Sequence, residues 1–496
     1  MSASAPLRVG RVSVDVRSVF DPSEARQGSF YRAVNRLHVQ TRAELIRSFL
    51  LFREGEPYDS VKLAETERNL RQFDFLESVS VTAAPPHDGV VDIAVVTTDA
   101  WTTAVTGDFS NEGGISVYDV DVSQKDLFGT GAALELLVDR GIERSAKAVE
   151  LRHPAIFGPY SNLDALYSKN SDGDEEKIAL ERVRGSYDTP ATAGFLADRL
   201  IRDERVYREG QIAALFQQRH RALAVSRSWT LQARPDATSS VVGGVDFLDD
   251  EFSPLPERPN DVLPDRRHFR FLDGGYERAG LVPVKLDYVD RDSREQDFNL
   301  GHLLSLHAAL GPRSWRLQAE AGDGLRFAER SFLVGRIHAM FRAAGTRLAV
   351  VSADARTVTR FGAVHPQAFV TRARIDAGRH LDRDMQFFAE GQNGLRAYPD
   401  FAFEGDRRII VNVEHRAYLG REILQLFSPS LAVFFDSGQA GNGAFHGMKS
   451  DAGVGLRIGI ARYDAALIRI DYAYALNASP LNRRGKVISI STSQAF

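Results

Sequence analysis

The sequence contains no cysteine among its 496 residues, which excludes disulfide bonds and thiolate metal sites. Its 12 histidines include no His-Glu-x-x-His motif and no paired spacing typical of metal ligands. Gly129-x-Gly131 is a weak match to a dinucleotide-binding motif, because no strand–helix–strand pattern surrounds it. The Gly-x-Ser-x-Gly elbow of lipases is also missing. We therefore expect no metal and no cofactor.

No run of 18 apolar residues occurs, so a membrane-spanning helix is not expected. The mean hydropathy of −0.25 is typical of soluble proteins, but a transmembrane β-barrel has a similar value because half of each strand faces a polar lumen. The formal net charge of −4 gives no reason to expect nucleic acid as a partner. The first residues have no apolar segment, and we expect any signal peptide to have been removed.

Residues 1–98 differ in pattern from the rest of the chain and predict a small α+β domain of order β-α-α-β-β. Thr41 and Glu44 have the spacing of a helix-capping box, which predicts that the first helix begins there. Asp59 or Ser60 caps the second helix. The predicted elements occupy residues 9–16, 41–50, 59–71, 78–82 and 90–97, and residues 21–40 are ambiguous.

The turn and second helix of this domain resemble those of a POTRA domain. A turn centred on Gly55 separates the two helices, and Leu70, Phe73 and Phe75 have the spacing that leads from the second helix into a strand. The resemblance implies a periplasmic module that pairs extended client chains with the edge of its sheet. The alternative is an ordinary small α+β domain without a binding role.

In residues 99–496 the helical period disappears, and segments of about ten residues alternate between apolar and polar. Every second residue of 452–460 is apolar, while Arg457 and three glycines occupy the other face. Arg469 and Asp471 share one face of residues 467–474 in the same way. Such strands need lipid on one side and a wet lumen on the other, so we predict an antiparallel transmembrane β-barrel. A soluble β-sandwich or propeller is the alternative, but the sequence shows no repeat of propeller length.

An irregular loop at residues 391–408 carries one arginine among apolar neighbours. Its motif consists of Gly394, Leu395, Arg396, Ala397 and Tyr398. This motif resembles the inward-folded arginine loop of the BamA/TamA superfamily of outer-membrane assembly barrels, with alanine in place of the usual glycine.

Two further stretches carry the same resemblance. Phe434-x-Asp436-x-Gly438 matches a strand motif of the superfamily. Residues 126–131, Asp-Leu-Phe-Gly-Thr-Gly, resemble a turn near the start of its barrel. The chain ends at Phe496 with an amphipathic segment that resembles the C-terminal signal of outer-membrane proteins.

Strand alternation places two carboxylates opposite the loop. Glu414 and Asp436 lie on successive strands, and both face the lumen because the apolar residues before them, Val413 and Phe435, face the opposite side. A guanidinium between two carboxylates can form bidentate, charge-assisted hydrogen bonds. We therefore predict that Arg396 lies between Glu414 and Asp436 in a partly wet lumen and locks the loop there. The alternative is that these charges are only solvated.

The number of strands differs between the resemblance and the pattern. The resemblance implies 16 strands, which we favour, whereas the alternating segments number nearer 20. Either some segments between residues 194 and 345 lie outside the membrane, or the barrel is larger. Long outer loops are expected at residues 170–176 and 249–267, with short turns such as 153–158 on the periplasmic side.

The resemblance implies a protein that is not an enzyme and that inserts or translocates polypeptides. Its barrel would lie in the bacterial outer membrane and its N-terminal domain in the periplasm. The expected partners are unfolded or extended client polypeptides and outer-membrane lipids. The working part would be the seam between the first and last strands, near residues 101–110 and 486–496. The alternative is a secretion pore dedicated to one partner or to a formerly fused passenger, because general assembly factors usually carry more than one POTRA domain.

Overall fold

The computed structural model describes residues 6–26, 28–112, 115–290, 295–391, 393–419, 423, 427–445, 447–460, 467–479 and 485–492. An N-terminal α+β domain is followed by a β-barrel. Among the described residues, no helix is long and apolar enough to cross a bilayer.

The N-terminal domain is a three-stranded sheet with helices packed against it. Its elements are β1 (Arg8–Arg17), α1 (Pro22–Ala25), α2 (Ser29–Leu37), α3 (Ala43–Ser48), α4 (Ser60–Arg71), β2 (Leu76–Ala83) and β3 (Val90–Asp99). Strand β3 lies in the centre, parallel to β1 and antiparallel to β2. The core joins α3, α4 and the sheet through Ile46, Phe49, Leu70 and Ile93, all buried.

The predicted order of this domain needs two corrections. Residues 21–40, which the pattern leaves ambiguous, contain the helices α1 and α2. The capping box of Thr41 and Glu44 does not form, and α3 begins at Ala43 without a side-chain cap. The hydroxyl of Thr41 donates instead to Asp126 of the barrel at 2.8 Å. The Thr41 hydroxyl therefore forms a tertiary hydrogen bond in place of the predicted helix cap.

Within the described residues, 20 strands form a closed antiparallel barrel, and two short hairpins, β14–β15 and β21–β22, lie in loops between barrel strands. The barrel strands are β4 (Thr103–Glu112), β5 (Ile115–Leu127), β6 (Ala132–Arg140), β7 (Ser145–His153), β8 (Ser161–Asn170), β9 (Gly173–Arg182), β10 (Ala191–Arg208), β11 (Gln211–Ala233), β12 (Ala237–Pro254), β13 (Arg267–Gly280), β16 (Leu303–Gly311), β17 (Ser314–Ala328), β18 (Ser331–Ala344), β19 (Thr346–Phe361), β20 (Gln367–Arg379), β23 (Arg407–Tyr418), β24 (Phe427–Gly441), β25 (Lys449–Ile460), β26 (Leu467–Ala475) and β27 (Lys486–Ser491). The hairpin strands are β14 (Pro283–Leu286), β15 (Gln296–Asn299), β21 (Phe387–Phe388) and β22 (Glu404–Gly405).

The favoured count of 16 strands is wrong, and the alternative of about 20 is confirmed. Apart from the hairpin β14–β15, the strands between residues 194 and 345 are paired on both sides within the ring. Strands β10, β11 and β12 have 18, 23 and 18 residues. A tilted strand needs about 9–11 residues to cross a bilayer. These three strands therefore belong to the barrel and are longer than a membrane crossing requires.

Exposure alternates along the strands as the pattern predicts. On β24, Leu431 and Val433 are 61% and 58% exposed on the outer face, whereas Asp436 is fully buried inside. The loop lengths differ from the prediction, because only residues 171–172 separate β8 from β9. A 22-residue connection between β13 and β16 lies at the end of the barrel that carries the N-terminal domain.

The N-terminal domain docks on three turns of the barrel. In the turn of residues 126–131, Asp126 accepts hydrogen bonds from Thr41 Oγ1 and from the Gly131 N–H, at 2.8 and 2.6 Å. Helix α4 reaches the turn of residues 183–190, where Asn69 Nδ2 donates to the Gly185 carbonyl at 2.6 Å. The turn of residues 154–160 contributes Tyr160, whose hydroxyl donates to the Phe49 carbonyl at 2.8 Å. These bonds hold α3 and α4 against the mouth of the barrel.

Gly129→Ala should loosen this docking. Gly129 has φ of +72°, and an added Cβ would lie 2.5 Å from the carbonyl oxygen of Gln40. Gly89→Ala is the matched control, because φ there is +78° and the added Cβ would meet nothing within 4 Å. Both variants carry the backbone strain of about 1–2 kcal/mol for a left-handed residue, but only Gly129→Ala adds a clash across the domain contact. Amide hydrogen exchange in α3 should rise only in Gly129→Ala, and equal exchange in both variants would contradict the prediction.

Candidate functional site

Residues 380–406, which connect β20 to β23, fold back into the lumen from the end opposite the N-terminal domain. We call this segment the arginine loop. Leu395 and Ala397 are completely buried, and Tyr398 is 1% exposed. They pack against inward-facing residues of the wall, among them Ile410 and Phe434. The tip of the loop is therefore part of the core of the barrel.

The guanidinium of Arg396 lies among three carboxylates. Its Nε and Nη2 donate to both oxygens of Asp436, at 2.7 and 3.0 Å. Its Nη1 donates to Glu414 at 2.7 Å and lies 3.4 Å from Asp471. The guanidinium also lies over the ring of Phe434, 3.4 Å from its centroid, in a cation–π arrangement. The structure thus brings together the three residues predicted for the site and adds Asp471.

The expectation of a partly wet site is wrong. The side chain of Arg396 is 5% exposed, and those of Glu414 and Asp436 are not exposed at all. The loop itself excludes water, because its apolar residues cover the ions on the lumen side. Charges in such a place must be paired and hydrogen-bonded, since an uncompensated buried charge is very costly.

Further charged residues complete the network around Arg396. Arg416 Nε donates to the second oxygen of Glu414 at 2.8 Å. Arg457 Nη1 donates to Asp471 at 2.5 Å. Asn412 Nδ2 donates to Asp436 at 2.8 Å and to the Gly394 carbonyl at 2.6 Å, so it joins the loop backbone to the network.

Glycines make room for this packing. Gly394 has φ of +113°, a conformation that favours glycine at the turn before Arg396. On β25, a Cβ at Gly453 would lie 2.2 Å from the Phe434 ring, so glycine leaves the space that the ring occupies. A Cβ at Gly438 would lie 2.8 Å from the Ile409 carbonyl oxygen, which explains glycine in the strand motif.

Tyr398 anchors the other side of the loop tip. Its hydroxyl lies 2.9 Å from the Ser450 carbonyl oxygen and accepts from the Asn477 N–H at 3.3 Å. The Ala397 N–H donates to Asp451 at 3.3 Å. Ala397, which stands where the superfamily motif usually has glycine, is fully buried.

The arginine loop also reaches the opposite wall of the barrel. Phe401 stacks on Tyr207 near the outer end of β10, with ring centroids 4.0 Å apart and planes within 3°. Gln386 exchanges two hydrogen bonds with the Tyr207 backbone, at 2.8 and 2.7 Å. Arg267 on β13 donates to Asp382 at 2.9 Å and to Asp384 at 2.7 Å. The loop thus spans the lumen from wall to wall.

Two predicted features concern the ends of the barrel sheet. Phe496, predicted as part of a C-terminal signal, lies outside the described residues. Strands β4 and β27 close the ring through three described residue pairs, Ile488 with Asn111, Ser489 with Ser110 and Ile490 with Phe109. Strands β26 and β27 are paired over six described residues. The described seam is therefore short.

Sequence reasoning did not assign Asp471, Arg457, Asn412 and Arg416 to the site. The available signal was strand parity, which places each of them on a lumen face. Parity does not say which residues of non-neighbouring strands meet across the barrel. That depends on the curvature of the closed sheet and on the depth to which the loop enters.

No family model and no curated protein sequence matches the chain. Among solved structures, CdiB from Acinetobacter baumannii aligns with a TM-score of 0.51 and 13% identity, over 98% of this chain and 73% of that one. The chain has the fold of this CdiB barrel. CdiB from Escherichia coli aligns with a TM-score of 0.49 and 11% identity, over 98% of this chain and 76% of that one.

A BamA structure from Haemophilus ducreyi that lacks POTRA domains 1–3 aligns with a TM-score of 0.42 and 11% identity, over 98% of this chain and 84% of that one. The likeness to the CdiB from Acinetobacter baumannii confirms the resemblance inferred from the sequence at the level of the fold. The POTRA assignment and the domain boundary between residues 98 and 99 stay predictions, as does the locking role of Arg396.

Arg396→Ala should release the arginine loop. Removing one partner of a well-formed buried ion pair costs about 3–5 kcal/mol, and the carboxylates left behind would repel each other. Arg396→Lys should not restore the loop, because an ammonium cannot form the bidentate contact with Asp436. Proteolysis within residues 380–406 of the detergent-solubilised protein should accelerate in both variants.

Arg374→Lys is the matched control, because Arg374 also faces the lumen but is 40% exposed and pairs with Asp376 at 3.1 Å. An exposed pair is worth only about 0–1 kcal/mol, so this variant should resemble the wild type. Combining Glu414→Gln and Asp436→Asn with Arg396→Ala should add little to the single change. If Arg396→Ala leaves the loop as protected as in the control, the network does not hold it.

Proposed function

We propose that the protein is an outer-membrane barrel that translocates polypeptides, with the N-terminal domain receiving the chain in the periplasm. The supporting observation is a wide barrel that is blocked by its own non-covalently held loop. Barrels of 16–18 strands enclose an aqueous channel, so a lumen of 20 strands is wide enough for an extended chain once the loop is displaced. The likeness to CdiB and BamA supports the proposal as a similarity of fold.

The N-terminal domain offers one sheet edge for an incoming chain. The β1 edge is partly covered, since Val9 accepts from the Gly55 N–H and donates to the Glu56 carbonyl. On β2, the Val81 N–H points away from β3 and is bound by the side chain of Glu67 at 3.2 Å. Alternation gives the N–H groups of Val79 and Ala83 the same outward direction. An extended client can add to this edge as a further strand.

A cavity connects this domain with the lumen. It lies between α4 and the inner faces of β8–β11, and Asn69, Lys177 and Gly194 are among its lining residues. The wall on this side is separate from β23–β26, where Arg396 is held. A chain leaving the β2 edge would therefore enter the lumen beside the arginine loop.

Proline on the outward positions of β2 should reduce client capture. Val79→Pro and Ala83→Pro each remove an outward donor without removing a hydrogen bond to β3, so the sheet itself should persist. Photo-crosslinking of an extended client peptide to the full-length protein should fall several-fold. Val79→Ala and Ala83→Ser are the matched controls and should crosslink as the wild type does. Unchanged crosslinking in both proline variants would exclude addition at the β2 edge.

Assembly or insertion of membrane proteins through the seam is the second candidate function. The short described pairing between β4 and β27 supports it, because only three pairs of described residues join the two strands. Insertion needs this opening, whereas conduction through the lumen does not. Locking the seam therefore separates the two functions.

Cysteines at the paired positions Ser110 and Ser489 should form a disulfide across the seam, without competition from native thiols. We expect translocation of a secreted client to continue in the oxidised protein, as a lumen pathway requires. Loss of translocation on oxidation and its return on reduction would instead favour the seam. The single-cysteine proteins, treated with the same oxidant, control for oxidative damage.

A further inference from the structure

The connection between β13 and β16 folds inward rather than away from the barrel. Its described residues, 281–290 and 295–302, include β14 and β15, which pair as an antiparallel hairpin. Val284, Leu286, Val289 and Leu300 are buried, with Val289 completely so. This segment enters from the end that carries the N-terminal domain, opposite to the arginine loop.

The buried face of the segment covers an apolar patch on the lumen wall. The patch consists of Phe332, Val358, Ala368, Val370 and Tyr418, from β18, β19, β20 and β23. Lumen faces of a transmembrane barrel are ordinarily polar because they contact water. Apolar residues at this position therefore indicate that the segment is their regular neighbour in the closed state.

Arginines of the wall bind the segment at its deepest point. Arg416 Nη1 donates to the Val289 carbonyl at 2.7 Å, and Arg356 donates to Asp290 at 3.0 Å. Arg416 also binds Glu414, which is a partner of Arg396. One wall arginine thus contacts the segment directly and the arginine loop through a shared carboxylate.

Helix α4 of the N-terminal domain binds the segment from outside. Arg71 donates to both oxygens of Asp297, at 2.9 and 3.3 Å. Lys285 donates to Glu67 at 3.2 Å, and Glu67 also pairs with Arg71. Burial by itself would raise the pKa of Glu67, but hydrogen bonds from Val81, Arg71 and Lys285 hold the pKa below its ordinary value.

We propose that the described residues 281–290 and 295–302 are a second plug, which closes the lumen from the periplasmic side and is held shut by helix α4. Glu67 connects this plug to the client-binding edge, because the same carboxylate binds Lys285, Arg71 and the outward N–H of Val81. A client strand added to β2 would take the Val81 N–H and displace Glu67. Capture of the client would then loosen the plug, a step that rests on the proposed function.

Ion conductance of the full-length protein in planar lipid bilayers tests the plug without any client. Charge reversal in either Arg71→Asp or Asp297→Arg should raise the open probability about tenfold, which corresponds to a loss of ~1.4 kcal/mol. The double variant Arg71→Asp with Asp297→Arg should restore the low conductance, because the pair is re-formed with its charges exchanged. Arg68→Ala, on the same helix, is the control and should conduct as the wild type does. Heat-modifiable gel mobility verifies that each barrel is folded.

A tether gives the reciprocal test. Cysteines at positions 71 and 297, joined by a short bismaleimide, should keep the conductance low even when an extended peptide binds the β2 edge. Conductance equal to the wild type in both charge reversals, or no recovery in the double variant, would overturn the proposal. If the charge reversals open the pore but no client is ever captured or translocated, the proposed function is wrong and the plug proposal is still supported.

Discussion

The arrangement of segments inside the barrel centres on the paired charges that surround Arg396 in a buried site of the lumen. Taking a guanidinium and several carboxylates out of water is costly, and only complete hydrogen bonding offsets that cost. The planar fork of arginine matches the two oxygens of Asp436 while a third nitrogen reaches Glu414. Arg416, Arg457 and Asn412 donate further hydrogen bonds to the carboxylates around Arg396. We expect this network to hold the loop, and the removal of one partner to release it.

Two segments of the chain enter the lumen of this wide barrel. The long strands on the β10–β12 side bring Tyr207 over the mouth opposite the N-terminal domain, where Phe401 stacks on it. The arginine loop therefore rests on two walls, with ions on one side and aromatic rings on the other. Residues 281–290 and 295–302 enter the same lumen from the other end and cover its apolar patch. The lumen is thus closed by two segments of the chain, each removable without breaking a barrel strand.

Two side chains of the wall, Glu414 and Arg416, link the arginine loop to the segment between β13 and β16. Glu414 accepts from Arg396 of the loop and from Arg416, whose other nitrogen binds the Val289 carbonyl. In the low-dielectric interior such a chain of charged hydrogen bonds couples its members more strongly than it would in water. Displacement of either segment would expose a buried charge that the other segment helps to pair. This arrangement favours concerted over independent movement of the two segments.

The alternation of apolar and polar residues was sufficient to predict a barrel and the lumen faces of Glu414 and Asp436, whereas the contact of both with Arg396 was predicted from the resemblance of the loop. The faces are local properties, because a side chain's face on a strand follows from its position along the strand alone. The pattern also indicated about 20 strands, and the error arose from preferring the count implied by a resemblance. By contrast, the dry state of the site, the participation of Asp471, and the inward fold of residues 281–290 and 295–302 follow from which distant strands face one another once the sheet closes. Thr41 shows the same limit: the local sequence predicts that its hydroxyl caps a helix, but in the folded protein the hydroxyl donates to Asp126. Contacts across a closed barrel join residues far apart in the chain, and no local periodicity encodes the curvature that brings them together.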